Sequence, residues 1–329
     1  MPTLWMRRLG LGMFLVAILL GLEATGTRAQ NPAGITVTPV TDAFDIKPGE
    51  SISRLIRVIN PVSHEVTLYP RVMDYHTDNE EGQPQFFTVK ERSSPYAMST
   101  WVKFSKPLLK ILPNEEEKFE VTIAAPQNAD AGGHYAAVLF STEEPKLDED
   151  QSQIGVIGLV GTLLLAKVPG EVDERMILQE FTAPRLLINP PADFSILFSN
   201  LGNVHLRPKG EIKIRNWSGD VRQTLTVNEG DGNVLPESKR RFKNSWGFDW
   251  KAFGKYTASA VIYYGKPEQQ LTATRALYIV PLWFIIAVAV LILVIIYLIW
   301  RRRRHRQPPI MPNVLPPQQK QPPSRLVMR

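Results

Sequence analysis

The chain has 329 residues, no cysteine and a formal net charge of +6. The lack of cysteine excludes a disulfide framework, thiol catalysis and cysteine metal sites. The positive charge is concentrated at the two ends: residues 301–329 carry +8 and residues 1–29 carry +2, which leaves −4 for residues 30–276. The basic balance therefore indicates membrane topology and affinity for anionic lipid, and nucleic acid is not an expected partner.

Residues 1–29 have the pattern of a secretory signal peptide. The pair Arg7-Arg8 precedes an apolar run at 9–22, and Thr27-Arg28-Ala29 places small residues where a signal peptidase cuts. The apolar run is shorter than the roughly 20 residues that a membrane span needs. This favours cleavage before Gln30 over an uncleaved anchor.

Short runs of alternating polar and apolar residues follow, each bounded by Pro, Gly, Asn or Asp, as is typical of strands. The runs lie at 35–39, 53–60, 65–72, 118–126, 193–200, 210–216 and 256–264. Strands of this length and spacing predict antiparallel sandwiches rather than alternating strands and helices. The apolar run at 154–168 predicts another buried strand, because its glycines lack the Lys-Ser/Thr of a phosphate loop.

The segment VPGEVDE at 168–174 predicts a hinge that separates a domain at 30–168 from a second domain at 171–276. After them, residues 277–300 form a run of 24 residues without a charge, long enough to cross a bilayer. Its aromatic residues predict the two membrane interfaces: Tyr278 and Trp283 at one, Tyr297 and Trp300 at the other.

Five arginines lie within RRRRHR at 301–306, directly after the apolar run, and predict that this side is cytoplasmic. The expected fold class is all-β: two immunoglobulin-like β-sandwich domains followed by one transmembrane helix. The expected location is the cell membrane, single-pass type I, with the N-terminal bulk outside. A cysteine-free exported region fits a bacterial surface. The proline-rich remainder of the tail at 301–329 is interpreted as a solvated segment, with docking to a proline-binding domain as the alternative.

The sequence has few features of an enzyme. The histidines between 30 and 276 have no metal-ligand spacing, and no G-x-S-x-G occurs, so we predict no catalytic residue, no metal site and no cofactor. The acidic stretch DYHTDNEEG at 74–82 is interpreted as a hairpin loop. Its acids do not match the D-x-D-x-D-G calcium loop, but carboxylate sites need not follow that pattern, so calcium binding stays open.

The stretch DAGGHYAAVLF at 130–140 places two glycines and a histidine before an apolar run. Glycine accepts positive φ, so we interpret the glycines as a tight turn that leads into a strand. His134 would then bond a loop carbonyl at the start of the strand. Contact with a ligand is the alternative role of this side chain.

Glycan recognition needs aromatic faces for sugar rings beside polar groups for hydroxyls. Such residues occur on two stretches that we interpret as long loops, and long loops on a rigid sheet often carry binding residues. The candidate ligand-binding residues are Tyr75, His76 and Asp78 on the first loop, Tyr96 and Trp101 at the second, and His134. The alternatives are plain solvent exposure for 74–82 and a core anchor for Trp101.

GGHYAAVLF at 132–140 and VGTLLLAKVPG at 160–170 resemble the peptidoglycan-binding domain of WxL-interacting proteins, a cell-surface family of Gram-positive bacteria. KPGESISRLIRVIN, WVKF at 101–104 and Leu112-Pro113 stand in the family's order. The stretches NLGNVHLRPKGEIKI, GNVLPESKRRF and FGKYTASAVIYYG are similar to the membrane-proximal domain of such proteins. The resemblance covers roughly 35–275.

The resemblance implies that the first domain binds peptidoglycan or other cell-wall glycan and that the second binds surface proteins, with membrane lipids contacted through the span and the arginine-rich tail. The chain has no W-x-L triplet, so it would be the interacting partner rather than a WxL protein. We therefore expect a non-catalytic bacterial cell-surface protein. An accessory or sensor subunit of a membrane complex is the alternative, and a surface hydrolase is disfavoured by the missing triad and metal spacing.

Overall fold

The structure, a computed structural model, describes residues 34–144 and 159–304. The predicted signal peptide at 1–29, its cleavage site and the tail beyond residue 304 lie outside the described residues. The fold is all-β, with two immunoglobulin-like sandwiches followed by one long apolar helix. Each of the seven alternating runs coincides with a strand along most of its length, which confirms that their period of two reflects a strand with one buried and one exposed face.

The first sandwich contains the strands between residues 36 and 168. They are β1 Thr36–Thr38, β2 Thr41–Asp45, β3 Ser51–Ile59, β4 Val66–His76, β5 Gln85–Phe87, β6 Val102–Phe104, β7 Leu109–Ile111, β8 Glu116–Ala124, β9 Gly132–Ser141 and β10 Val160–Val168. One sheet has the order β1-β3-β8-β6; the other has the order β2-β10-β9-β4-β5, and β7 also pairs with β4. Apolar side chains of both sheets meet between them, where the rings of Phe119 and Phe140 lie 5.3 Å apart.

The second sandwich contains the strands between residues 176 and 279. They are β11 Met176–Thr182, β12 Leu186–Leu187, β13 Ala192–Asn200, β14 Lys209–Asn216, β15 Val221–Val227, β16 Lys239–Trp246, β17 Gly254–Tyr264 and β18 Gln269–Ile279. The sheet β11-β13-β16 faces the sheet β12-β18-β17-β14-β15 across a separate core. Trp246 lies in this core with its ring 5.4 Å from that of Tyr256.

The helix α1 spans Leu282–Arg304. Its segment Leu282–Arg303, of 22 residues, is long and apolar enough to cross a membrane. The predicted start of the span at residue 277 is wrong. Leu277 and Ile279 belong to β18 and are fully buried in the second core. Hydropathy does not distinguish the apolar end of a core strand from an apolar helix, so the two read as one run in the sequence.

A buried asparagine makes the same set of hydrogen bonds in each sandwich. Asn60, just after β3, donates from its side-chain amide to the carbonyls of His64 and Ile111, both at 2.9 Å, and accepts from the Val62 N–H at 3.1 Å. Asn200, at the end of β13, makes the corresponding bonds four, 34 and two residues further along the chain. Both amides satisfy backbone groups that the strands leave unpaired at this corner.

The strand β9 is buried on both faces along all ten residues. Ala136, Val138 and Phe140 face the first core, whereas the alternate residues belong to a second cluster on the outer face of the sheet. We call this the junction cluster; its buried members are Met73, Tyr75, Tyr135, Ala137, Leu139, Leu165 and Leu235. Leu235 comes from the second sandwich, so the other domain helps to cover the outer face of β9.

The prediction that Gly132 and Gly133 form a turn is wrong, because they are the first two residues of β9. Gly132 does have the positive φ that was expected from the sequence; the angle is 125°. At both positions a side chain would clash with a neighbouring group. A Cβ at Gly133 would lie 2.0 Å from the Tyr135 hydroxyl, and one at Gly132 would lie 2.6 Å from the carbonyl oxygen of Asn203, on the second sandwich.

Polar contacts also connect the sandwiches. The Gly133 N–H donates to the carbonyl of Asn203 at 2.8 Å, and the Tyr135 hydroxyl lies 3.4 Å from Nδ1 of His205. Burial raises the pKa of Tyr135 well above its usual value. Burial, with a smaller effect of the cationic Arg207 and Lys167, lowers the pKa of His205 to about 4. Its imidazole is therefore neutral at pH 7 and can accept a hydrogen bond from Tyr135.

Further contacts lie at the edges of the junction. Arg241 Nε lies 2.6 Å from the Glu80 carboxylate and Nη1 lies 3.0 Å from that of Glu180, so one guanidinium spans loop 77–84 of the first sandwich and β11 of the second. The hydrogen bond from Arg241 lowers the pKa of Glu80. Lys167 Nζ lies 2.5 Å from the Glu174 carboxylate, and this ion pair connects the end of β10 to the segment that leads into β11.

Replacement of Asn60 by alanine is expected to lower the free energy of unfolding by about 2–4 kcal/mol, because buried carbonyl and N–H groups lose their partners. The measurement is urea denaturation of the full chain in detergent, followed by fluorescence of the buried tryptophans. Asn128→Ala is the matched control: the side chain is exposed and should change stability by no more than about 0.5 kcal/mol. Equal stability of the two variants would contradict the assigned role of the buried amide.

His205 should make the protein less stable in mild acid. Between pH 6.5 and about 4 the unfolded chain protonates this imidazole and the folded chain does not, so the free energy of unfolding falls as the pH is lowered. At about 1.4 kcal/mol per pKa unit, the full effect approaches about 3 kcal/mol.

The measurement compares urea denaturation at pH 7, 5.5 and 4.5 for the wild type, His205→Gln and the exposed-histidine control His64→Gln. The loss of stability between pH 7 and 4.5 should be smaller in His205→Gln and unchanged in His64→Gln. The same loss in all three proteins would show that His205 is not buried as a neutral group.

Candidate functional site

The six candidate residues from the sequence lie on two different sides of the sheet that contains β9. Trp101 and His134 are buried at the end of the first core, with their rings 4.5 Å apart. The His134 ring bonds the Asp130 carbonyl at 2.9 Å, which confirms the predicted contact with a loop carbonyl. Tyr75 is buried on the opposite side, in the junction cluster.

The other three candidates lie near the second sandwich or at the surface. Tyr96 packs beside Tyr135, and its hydroxyl donates to Glu237 at 3.1 Å. His76 is partly exposed and its Nε2 lies 2.7 Å from the carboxylate of the exposed Asp78. The six residues therefore do not share one surface, and a ligand role for each of them stays a prediction.

The prediction of a loop at 74–82 is wrong for its first three residues, which are the end of β4; the loop between β4 and β5 runs from 77 to 84. Asp74 is fully buried, and its carboxylate accepts hydrogen bonds from the Met98 N–H at 2.8 Å and from the Ser99 N–H and hydroxyl at 2.7 and 2.6 Å. It faces inward because alternation along β4 puts it on the core side. Within 34–144 and 159–304, no three acidic or histidine side chains form a group that could hold a metal ion.

A cavity of about 520 Å³ opens beside Tyr75, between the two sandwiches. Loop 77–84 and strands β2 and β10 form one wall; the segment 230–235 with Arg207 and Arg240 forms the other. The volume lies within the range of about 300–1,000 Å³ that is usual for small-molecule sites. We call this cavity the junction cleft.

Arg240 reaches across the cleft from β16. Its guanidinium lies between two glycines, one from each sandwich: a Cβ at Gly82 would lie 2.6 Å from it, and one at Gly232 would lie 2.7 Å from it. Nη1 donates to the Asn233 carbonyl at 2.8 Å, and the side chain lies over the Phe242 ring at 5.3 Å. Partial burial lowers the pKa of Arg240, as expected for a charge held without a counter-ion.

Arg207 is the second cation in the cleft, and its Nε donates to the side-chain oxygen of Asn233 at 3.3 Å. Among the described residues, no carboxylate lies within ion-pair distance of Arg207 or Arg240. The one acid in the lining, Asp231, is already paired with Lys209 at 2.8 Å, and this pairing lowers its pKa. The cleft thus presents two guanidiniums that form no ion pair with a described carboxylate, although the charge of Arg207 also acts on Asp231. Guanidiniums are the donors that bind carboxylate or phosphate oxygens.

Sequence reasoning did not identify Arg207 or Arg240. Arg207, just before β14, and Arg240, within the basic run KRR at 239–241, are indistinguishable in sequence from solvated surface residues, and the two lie 33 residues apart. The only local signal is the pair of glycines in GDG at 230–232, which is also typical of an ordinary turn.

Comparison with known proteins gives a likeness of fold only. No family model and no curated protein matches the chain. Solved structures that are similar include a chaperone–tip adhesin complex of CFA/I fimbriae, at 14% identity over 74% of this chain and 99% of that one, with a TM-score of 0.36. The class 5 fimbriae chaperone CfaA is 15% identical over 73% and 98%, with a TM-score of 0.36. The CupB2 chaperone of Pseudomonas aeruginosa is 13% identical over 74% and 100%, with a TM-score of 0.34.

Proposed function

We propose that this chain is a non-catalytic, membrane-anchored binding protein of the bacterial cell surface, of the WxL-interacting type. In this proposal the junction cleft binds an anionic group of cell-wall glycan. The observation that supports it most directly is the pair of guanidiniums, Arg207 and Arg240, that face one cavity without a carboxylate partner among the described residues.

Cell-wall glycan has the chemistry that this cleft would accept. Peptidoglycan carries carboxylates on its lactyl and peptide groups, and other wall polymers carry phosphates. Two arginines with fixed positions can each donate two parallel hydrogen bonds to such a group. Thr41, Thr77 and Tyr75 line the same cavity, and hydroxyl-bearing and aromatic residues suit the polar and apolar faces of a sugar.

The position of α1 supports a surface location. An apolar helix that ends in Arg301 to Arg304 is oriented with its arginines in the cytoplasm, so both sandwiches would lie outside the membrane. The exposed strands of the second sandwich would be available to partner surface proteins, as the resemblance implies.

Arg207→Gln and Arg240→Gln, alone and together, test whether the junction cleft binds cell-wall glycan. Each arginine lost is expected to weaken retention on purified cell walls by roughly tenfold, since a hydrogen bond to a charged group contributes about 1.5–3 kcal/mol. The assay is sedimentation of the full chain in detergent with purified walls, at low and at high salt.

Arg57→Gln is the matched control, because Arg57 lies on β3, in the opposite sheet of the first sandwich, is not among the residues that line the cleft and is largely exposed. It should bind like the wild type. Walls from which the phosphate polymers have been removed distinguish peptidoglycan carboxylates from phosphates. Equal retention of the double variant and the Arg57 variant, with unchanged melting curves, would show that the cleft is not the glycan site.

The orientation is tested separately by proteolysis of intact, wall-stripped cells. Protease added outside should digest residues 30–276 and leave an epitope tag at the C-terminus intact, because five arginines hold that end in the cytoplasm. Cleavage of the tag in intact cells would reverse the proposed topology.

A further inference from the structure

Several loops lie at the end of the second sandwich from which α1 begins. The register shows this: Asn216, at the end of β14, pairs with Tyr256, and Tyr256 pairs with Leu277, five residues before the helix. Trp217 follows Asn216 directly, and the segment 247–253 leads into β17 at the same end. The chain offers only residues 280–281 between β18 and α1, too few for a flexible stalk.

Large apolar side chains are exposed at this end of the sandwich. Trp217 is 78% exposed, Trp250 70%, Tyr278 49% and Phe253 45%. Leu186, which pairs with Tyr278 in the sheet, is 61% exposed. Single exposed apolar residues are normal on a protein surface, but a group of them on one end indicates a contact surface.

Two of these residues, Trp250 and Phe253, contact the first turn of α1. The indole N–H of Trp283 donates to the Trp250 carbonyl at 2.9 Å, and the rings of Phe253 and Phe284 lie 4.8 Å apart. Loop 247–253 is therefore attached to the point where the apolar helix starts. Lys251 lies 5.7 Å from the Trp250 ring, so a cation accompanies the exposed indole.

We propose that Trp217, Trp250, Phe253 and Tyr278 form an aromatic foot that lies in the headgroup region of the bilayer and seats the second sandwich directly on the membrane. The foot is continuous with the helix that spans, and Trp and Tyr are enriched at the level of lipid headgroups because their rings are apolar with a polar edge. Lys251 would extend toward lipid phosphates. The proposal does not depend on what the junction cleft binds.

The absence of cysteine makes the test straightforward, because a single introduced cysteine is the only labelling site in the chain. Trp217→Cys and Trp250→Cys are each labelled with an environment-sensitive fluorophore in the full chain, reconstituted into vesicles of zwitterionic and anionic phospholipid. Glu268→Cys is the matched control: it lies exposed in the turn between β17 and β18, at the far end of the same sandwich. Eleven strand residues at about 3.3 Å each put that turn about 35 Å from the foot.

A nitroxide attached to the lipid headgroup should quench the labels at 217 and 250 at least several-fold more than the label at 268, and their emission should shift to the blue in vesicles. Melting curves of the three labelled proteins should agree. Equal quenching at all three positions would overturn the proposal. Foot labels that stay unquenched in vesicles, but are protected by a second protein, would assign the aromatic surface to a protein partner instead.

Discussion

The burial of β9 on both faces is the constraint on which the rest of the structure depends. A strand whose side chains are apolar on both sides must be covered twice, and here the first core covers one side and the second sandwich helps to cover the other. Gly132 and Gly133 allow the close approach of Asn203 and the Tyr135 ring. The relative position of the two sandwiches, and hence the cleft between them, follows from how this one strand is buried.

The neighbouring residues Arg240 and Arg241 have different surroundings at the junction between the sandwiches. Alternation along β16 directs Arg241 to Glu80 and Glu180, where its charge is neutralised, whereas Arg240 points into the cleft without an acidic partner among the described residues. A guanidinium held by backbone and glycine contacts is preorganised, so a ligand with a carboxylate or phosphate would meet donors that need little rearrangement. The ion pairs of Arg241 join the two sandwiches, whereas Arg207 and Arg240 are the residues that would bind the ligand in the proposed function.

Much of the fold could be predicted from the sequence. In a strand with one solvated face, polar and apolar residues alternate, and this alternation shows which side chains are buried. The strand predicted from the run at 53–60, which is β3, and the hydrogen bond from His134 to a loop carbonyl are examples. The predictions failed where a residue's environment comes from a distant segment. Asp74 looked like an exposed loop acid but is satisfied by Met98 and Ser99, 24 and 25 residues away.

The candidate site was less predictable than the fold for the same reason. The cleft is formed by segments from both sandwiches, and nothing local marks Arg207 or Arg240 as members of one site. The aromatic foot is intermediate: its member Tyr278, and Trp283 at the start of α1, were expected at a membrane interface from their places in the apolar run. Its contacts with Trp250, and the foot's position beside α1, depend on the register of the second sandwich.

The central claim is that the two sandwiches hold one orientation about β9. The most direct measurement is the distance distribution, by pulsed electron paramagnetic resonance, between spin labels on Leu55→Cys and Val221→Cys, both exposed and one on each sandwich. The account predicts a single narrow distribution for the full chain in detergent and in vesicles. A broad or two-peaked distribution would show that the sandwiches move independently and that the junction cleft is not a fixed site.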